Sequence, residues 1–415
     1  MQYGLLGRHL AHSYSPQIHE HLGSLPYDLF EMEPEQVGEF VRSGNVAGLN
    51  VTIPYKKAVI PYCDELTEQA KSLGAVNTIV RKDNGHLVGH NTDYFGFLQT
   101  VKKSGLHLSG KKVLVLGSGG ASTTAVAVLK ELGANVVVIS RSGENNYNNL
   151  HHHYDASLIV NATPVGMYPV VDATALEISP FQQLEGVIDL IYNPARTVLL
   201  QAAEKRMLVS QNGLWMLVAQ AKESAEWFLG KKISDHAIRQ IHSHLRMQME
   251  NIILIGMPGC GKSTVGALLA TKLGKEFVDA DVEIQKAANK PIPEIFASSG
   301  ETGFRKLETA VLADLGKRSG LVIATGGGCV TRSENYSHLH QNGTIVWLQR
   351  DIHALPTDGR PLSKSGQLVD MYEVRKPLYE QFSDITVDND RSVETTAESI
   401  IEALKKEYDH ENTCD

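Results

Sequence analysis

One event occurs twice in this sequence and constrains its fold more than any other feature. An apolar, β-rich run ends in glycines and gives way to a helical pattern. The first instance is Val113–Gly117 (VLVLG) before Ser118-Gly119-Gly120-Ala121-Ser122, and the second is Ile252–Gly256 (IILIG) before Met257-Pro258-Gly259-Cys260-Gly261-Lys262-Ser263-Thr264. Strands this apolar are buried on both faces and belong in parallel α/β sheets. Each run opens its own nucleotide-binding unit, so the chain holds two of them. A length of 415 residues leaves room for a third region ahead of both. Residues 1–100 supply it with short alternating elements, a strand over Gly48–Ile53 and a helical pattern around Asp64–Leu73. A last amphipathic helix of the first half runs from about Asp235 to Met249, and the boundary falls near Gln248–Glu250 without a Gly/Pro-rich linker.

Composition removes several function classes. A formal charge of −8 argues against a dedicated nucleic-acid binder. Cys63, Cys260, Cys329 and Cys414 show no CxxC spacing, which disfavours a disulfide framework or zinc site and makes a reducing cytoplasm the expected compartment. The start, MQYGLLGRHL, lacks the pattern of a signal peptide, and no run is long and apolar enough to span a membrane. His151, His152 and His153 are consecutive and do not converge readily on one ion, so they read as exposed in the polar run Gly143–His153. The sequence leaves the oligomeric state open, a homodimer included.

In the second half, Gly256-x4-Gly261-Lys262-Ser263 follows a strand and precedes a helix, the context a phosphate loop requires. Glycines such as Gly259 and Gly261 let backbone N–H groups converge on phosphates, and the helix N-terminus with Thr264 adds positive potential. Lys262 neutralises β/γ-phosphate charge and Ser263 binds Mg²⁺. Asp279-Ala280-Asp281 ends a second strand, Gly303-Phe304-Arg305 opens a helix, and Gly326-Gly327-Gly328 follows strand Leu321–Ala324. Arg360-Pro361-Leu362 and Arg375-Lys376-Pro377-Leu378-Tyr379 come next. In this order the segments resemble shikimate kinase over nearly all of residues 251–410. The resemblance implies that ATP and Mg²⁺ are used, with Asp279 linked to the metal. It implies that Asp281 binds the substrate hydroxyls and takes the attacking proton. Arg305 and Arg375 would clamp the substrate carboxylate, Gly327 and Gly328 would offer backbone contacts, and Arg360 would be the lid arginine over the phosphates. A small carboxylated polyol does need a cationic fork and a carboxylate beside its nucleophilic hydroxyl. One departure is Leu355-Pro356-Thr357, which puts Pro356 where the family has an adenine-packing arginine, in a short lid segment.

In the first half, Gly117-Ser118-Gly119-Gly120-Ala121-Ser122 is a dinucleotide fingerprint with serine at the third glycine. The following strand, Asn135–Ile139, ends in Ser140-Arg141-Ser142 instead of the acidic residue that would hold a ribose hydroxyl. An arginine there suits a 2′-phosphate, hence NADP(H). Seven further segments fall in order: Ser13-Tyr14-Ser15-Pro16, Asn50 to Lys56 (NVTIPYK), Gly74 to Thr78 (GAVNT), Asn91-Thr92-Asp93, Asn161-Ala162-Thr163, Asp189 to Tyr192 (DLIY) and Gly213 to Gln220 (GLWMLVAQ). Together with the fingerprint they resemble shikimate dehydrogenase across residues 1–247. The resemblance implies that Lys56 and Asp93 are the catalytic pair. It also implies that Ser13, Ser15, Thr52, Asn77, Tyr192 and Gln220 surround the substrate, and that Gly213 lies on the cofactor side. Hydride delivery to a ketone builds negative charge on oxygen, and a lysine oriented by a carboxylate stabilises that charge and supplies a proton. Tyr94 stands where glycine is common, and Asn145 stands near the place of a second basic residue.

The expectation is a two-step enzyme, reducing 3-dehydroshikimate with NADPH and phosphorylating shikimate with MgATP. Its domains would be a catalytic unit over 1–100 completed by helices from about 212–247, a Rossmann unit over 101–211, and a P-loop kinase unit over 250–415. The competing expectations are a quinate/shikimate dehydrogenase preferring NAD joined to a kinase, and a degenerate fusion that senses metabolites.

Overall fold

The computed structural model describes residues 2–10, 13–43, 45–355 and 365–410. Three sheets follow one another along the chain. The first has six strands in the order Tyr27–Glu31, Gln2–Gly7, Val46–Val51, Thr78–Arg81, Leu87–His90, Glu65–Leu66. Its first three strands are parallel, and Thr78–Arg81 then pairs antiparallel with both neighbours. The second sheet, of five parallel strands, runs Val209–Gln211, Gly186–Asp189, Leu158–Asn161, Lys112–Leu116, Asn135–Ile139. The third, also five parallel strands, runs Glu276–Asp279, Leu321–Ala324, Asn251–Ile255, Gly343–Gln349, Ile385–Asp388. Every residue of Asn251–Ile255 is buried, as its all-apolar interior requires. Both glycine turns leave the first strand of their sheet where the order reverses, the crevice in which such sheets bind ligands.

Two expected elements differ in detail. The helical pattern around Asp64–Leu73 splits: Glu65–Leu66 pairs with Val88 and Gly89 as a short strand, and the helix begins only at Glu68. The reason is local, because the Thr67 side chain accepts the Ala70 N–H and caps the helix there. Gly303-Phe304-Arg305 opens a helical segment inside the longer helix Ile292–Lys317, which Gly300 interrupts with φ 65°.

The helix Leu214–Leu229 returns from the second sheet to the first. It packs on helix Asp93–Lys103, where a side chain at Gly96 would meet Met216 O at 2.8 Å and Gln220 Cβ at 2.9 Å. That close approach delivers Gln220 to the neighbourhood of Asp93. Helix His236–Met249 then leads through Glu250 alone into strand Asn251–Ile255. Glu250 is buried, lies 3.1 Å from Arg246 Nε, and accepts the Thr344 hydroxyl at 2.7 Å.

Candidate functional site

The first site is built on a polar network buried between the first sheet and the returning helix. Lys56, in the turn after strand Val46–Val51, places Nζ 2.6 Å from Asp93 Oδ2. Asp93 opens its helix and accepts Asn77 Nδ2 on its other oxygen at 3.0 Å. Asn77 in turn accepts the Thr92 N–H at 2.7 Å, and the Thr92 hydroxyl reaches Gln220 Oε1 at 3.4 Å. Thus Lys56, Asp93, Asn77 and Gln220, far apart in sequence, are joined. Ser13 and Ser15 sit at the start of helix Ser15–Leu22, where the Ser13 hydroxyl accepts the Ser15 N–H at 3.2 Å. The Tyr14 ring between them meets Tyr192 edge-on, with centroids 6.3 Å apart, so Tyr192 comes from the second sheet to these serines. Burial raises the pKa of the Tyr192 phenol, so it stays a neutral hydrogen-bonding group. Thr52 is half-buried just after Val51.

The dinucleotide fingerprint borders a cavity of about 600 Å³ that includes Gly117, Gly119, Ser140, Arg141 and Thr163. Arg141 is exposed at its rim, next to the open end of the fingerprint. A side chain built on Gly119 or Gly120 would meet nothing within 4 Å, so the backbone at the head of helix Gly120–Glu131, Ala121 included, is open to a phosphate. These features fit a dinucleotide. Gly213 lies apart from this cavity, heading the returning helix with its N–H on Ile191 O at 3.0 Å. Of the three histidines, His151 and His152 are exposed, whereas His153 is half-buried with Nε2 3.0 Å from Asn145 Oδ1. That bond corrects the expectation for His153, because the turn folds back on itself. Tyr94 is half-buried with its hydroxyl on Glu131, and burial followed by that carboxylate pushes its pKa up to about 12.

The second site is one cavity of about 910 Å³ shared by the phosphate loop and the expected acceptor residues. Gly259, Gly261, Lys262, Ser263 and Thr264 line one side, and Asp281, Arg305, Gly327, Gly328 and Arg375 the other. Ser263 Oγ donates to Asp279 Oδ2 at 2.6 Å, pairing two hard oxygen donors of the kind that hold Mg²⁺. Lys262 is turned inward, donating to Gly256 O at 2.9 Å and Met257 O at 3.0 Å. The glycine turn is wedged between two functional groups. A Cβ on Gly328 would lie 2.1 Å from Arg305 Nη2, and one on Gly327 2.7 Å from Pro258 Cδ. A side chain at Gly328 would displace the Arg305 guanidinium, and one at Gly327 would collide with the ring and backbone of Pro258. Arg375 Nη1 and the Tyr379 hydroxyl both donate to Gly327 O, at 3.1 and 2.5 Å.

The residue pattern did not single out Glu308 or Ser224. Glu308, almost wholly buried, accepts Arg305 Nη1 at 2.7 Å on one oxygen. Its other oxygen and Arg305 Nε are buried without a hydrogen-bond partner among the described residues. Burial raises the Glu308 pKa, and Arg305 opposes the shift. Its i,i+3 spacing from Arg305 was the available signal. Ser224, one turn beyond Gln220, sits under the first site with Oγ 2.8 Å from Asn50 Nδ2, 2.9 Å from Thr78 Oγ1 and 3.0 Å from Thr92 Oγ1. Arg360 and Pro356 lie outside the described residues.

Comparison with known proteins gives the same two halves. A family model for the shikimate dehydrogenase substrate binding domain matches residues 5–79, and one for shikimate kinase matches residues 258–405. A shikimate dehydrogenase (NADP(+)) of Clostridium perfringens is 32% identical over 267 residues, covering 59% of this chain and 98% of that protein. The crystal structure of shikimate dehydrogenase 1 from Peptoclostridium difficile matches with TM-score 0.54 and 36% identity, over 60% of this chain and 98% of that one. A chorismate mutase/shikimate 5-dehydrogenase fusion protein from Clostridium acetobutylicum matches with TM-score 0.56 and 34% identity, over 59% and 96%.

Proposed function

The chain belongs, over the stretch aligned with these relatives, to the shikimate dehydrogenase family and carries a shikimate kinase domain after it, and from that premise we propose how its two sites divide the work. It is a bifunctional enzyme of aromatic amino-acid biosynthesis. The first half reduces 3-dehydroshikimate to shikimate with NADPH, and the second phosphorylates shikimate to shikimate 3-phosphate with MgATP. The observation that carries this reading is the pairing of a formed Lys56–Asp93 contact at 2.6 Å with a separate cavity joining a phosphate loop to two arginines. We divide the chain into a catalytic unit of 1–100 with 212–247, a Rossmann unit of 101–211 and a kinase unit of 250–415. We place the enzyme in the cytoplasm.

In the first half, NADPH when bound supplies the hydride. Gly117, Gly119 and Gly120 would receive its pyrophosphate, and Arg141 its 2′-phosphate. Lys56 Nζ faces the substrate carbonyl oxygen, stabilises the charge that develops there, and donates the proton. Asp93 keeps the ammonium in place and accepts a substrate hydroxyl, and Asn77 holds Asp93. Ser13, Ser15, Thr52, Tyr192 and Gln220 complete the binding of carboxylate and hydroxyls. In the second half, MgATP when bound supplies the phosphoryl group. Ser263 and Asp279, paired at 2.6 Å, would hold the metal, and Lys262, bonded to its loop carbonyls in this structure, would turn to the phosphate oxygens. Arg305 and Arg375 grip the shikimate carboxylate, and Asp281 accepts the proton of the attacking hydroxyl. Purified protein given 3-dehydroshikimate and NADPH should consume NADPH, and given shikimate and MgATP should release ADP. Absence of either turnover in folded protein would overturn the reading for that half.

A further inference from the structure

The two halves meet along a buried seam that reaches the loop carrying Tyr192. The kinase turn 340–343, between helix Glu334–His340 and strand Gly343–Gln349, lies against residues 190–197 of the first half. Ala195 N donates to Asn342 Oδ1 at 2.8 Å, and Arg196 N donates to Gln341 O at 2.8 Å. Arg196 Nη1 reaches His340 O at 3.2 Å and Gly343 O at 3.4 Å. Asn342 is 3% exposed, and its two ends serve different halves. Oδ1 accepts from the dehydrogenase loop, while Nδ2 donates to Gly316 O at 3.1 Å and Lys317 O at 3.3 Å within the kinase.

The same loop organises the dehydrogenase site on its other side. Ile191 O accepts the Gly213 N–H at 3.0 Å, and Ala195 O accepts Asn212 Nδ2 at 2.9 Å, which together fix the start of the returning helix. Between these contacts stands Tyr192, against Tyr14. Behind the loop a cavity of about 390 Å³, bordered by Tyr192, Arg196, Asn212, Glu250 and Asn342, leaves it room to shift.

We propose that the kinase turn 340–343 is a positioning element for the dehydrogenase. It holds loop 190–197 so that Tyr192 and the head of the returning helix keep their register with the substrate. Asn342 and Gln341 touch neither substrate; they act through the loop. The inference rests on the assignment of Tyr192 to the first site. It means that the dehydrogenase reaches full efficiency only with the kinase folded against it.

The test uses the full chain. Both half-reactions are first measured on the unaltered protein, which tests the functional reading independently. Asn342→Ala and Arg196→Ala should then raise the KM for 3-dehydroshikimate roughly five- to tenfold, because a small displacement of a positioning group is costly. Kinase kcat/KM for shikimate should stay within about twofold, on the same argument that a site away from the displaced group keeps its geometry. Dehydrogenase kcat should change much less than the KM for 3-dehydroshikimate, because neither residue reaches the reacting atoms. If Asn342→Ala or Arg196→Ala does not fold, Arg196→Lys, which keeps a cation beside Glu204 and Glu250 while giving up the paired reach to His340 O and Gly343 O, decides. Unchanged dehydrogenase KM in the folded variants, or equal loss of both activities, would overturn the proposal.

Discussion

The two sites of this molecule are in different states of readiness. In the dehydrogenase half the ammonium of Lys56 already meets Asp93, and Asp93 is already held by Asn77. In the kinase half Lys262 is bonded to the carbonyls of its own loop, and Arg305 is held by Glu308. On the proposed reading, hydride transfer would be served by a charge in place before the carbonyl arrives, since preorganised dipoles need no rearrangement during reaction. Phosphoryl transfer brings in several anionic oxygens at once, and cations waiting for them need temporary partners. The difference teaches that the first site spends its buried polar contacts on geometry, and the second on storing charge.

Breaking the preformed pair should have the largest effect. Asp93→Asn, which keeps the shape and removes the charge, should lower dehydrogenase kcat by roughly 10²- to 10⁴-fold and leave the kinase nearly unchanged. Steady-state rates for both half-reactions check this, and a dehydrogenase loss under about threefold would deny Asp93 its role.

The stored charge should be next. Arg305→Ala removes a charge-assisted hydrogen bond, and should raise the KM for shikimate roughly ten- to a hundredfold with a much smaller change for ATP. Equal weakening of both ligands would instead make Arg305 a support for the fold or the lid. Glu308→Gln should sharpen the contrast with a milder rise in shikimate KM, because it loosens the guanidinium without removing it.

A smaller effect is expected at the cofactor rim. Arg141 is exposed, so an ionic contact with a 2′-phosphate there would be partly screened. Arg141→Ala should raise the KM for NADPH several-fold, on the order of a 1 kcal/mol exposed ion pair, and leave that for NADH nearly unchanged. Kinetics with both cofactors at two salt concentrations test this, and an unchanged NADPH KM would remove Arg141 from cofactor choice.

Stability should also depend on pH through buried histidines. Burial lowers the pKa of His19, His242 and His340 to about 3 each. They stay neutral in the folded chain, whereas the unfolded chain binds protons below about pH 6.5. Acidification below 6.5 therefore favours unfolding, by about 1.4 kcal/mol per pH unit for each histidine. Asp189 acts the opposite way below its value of about 6, raised by burial. Thermal unfolding of His242→Phe against the unaltered chain at pH 7 and pH 5 isolates one term. The variant should lose less stability on acidification, and equal losses would mean His242 takes up its proton in the folded state.

Much of this was legible in the residue pattern, for identifiable reasons. The phosphate loop and the fingerprint are contiguous and depend on backbone geometry, so glycine spacing reveals them. Lys56, Asp93, Asn77 and Gln220 lie far apart, and their union depended on the order of segments rather than on any local signal. Ser224 and Glu308 were missed because a buried serine and a helical glutamate carry no mark of their role until the partner is in place. The contact of Asn342 with Ala195 spans the two halves, and nothing in either segment announces it. The helical pattern around Asp64–Leu73 does not reveal that the helix starts only at Glu68, because the cap from Thr67 to the Ala70 N–H shows itself only in the folded turn.

The most direct test of the central claim, that two complete catalytic sites share one chain, is complementation in a single tube. The unaltered protein, Lys56→Ala, Lys262→Ala and an equal mixture of the two variants are each given 3-dehydroshikimate, NADPH and MgATP, and shikimate 3-phosphate is measured. The unaltered chain should form it, Lys56→Ala should leave 3-dehydroshikimate unreduced, and Lys262→Ala should stop at shikimate. The mixture should restore the product, because each variant keeps the site the other lacks. If either folded variant lost both steps, or the mixture formed no product, the division into two separate sites would be contradicted.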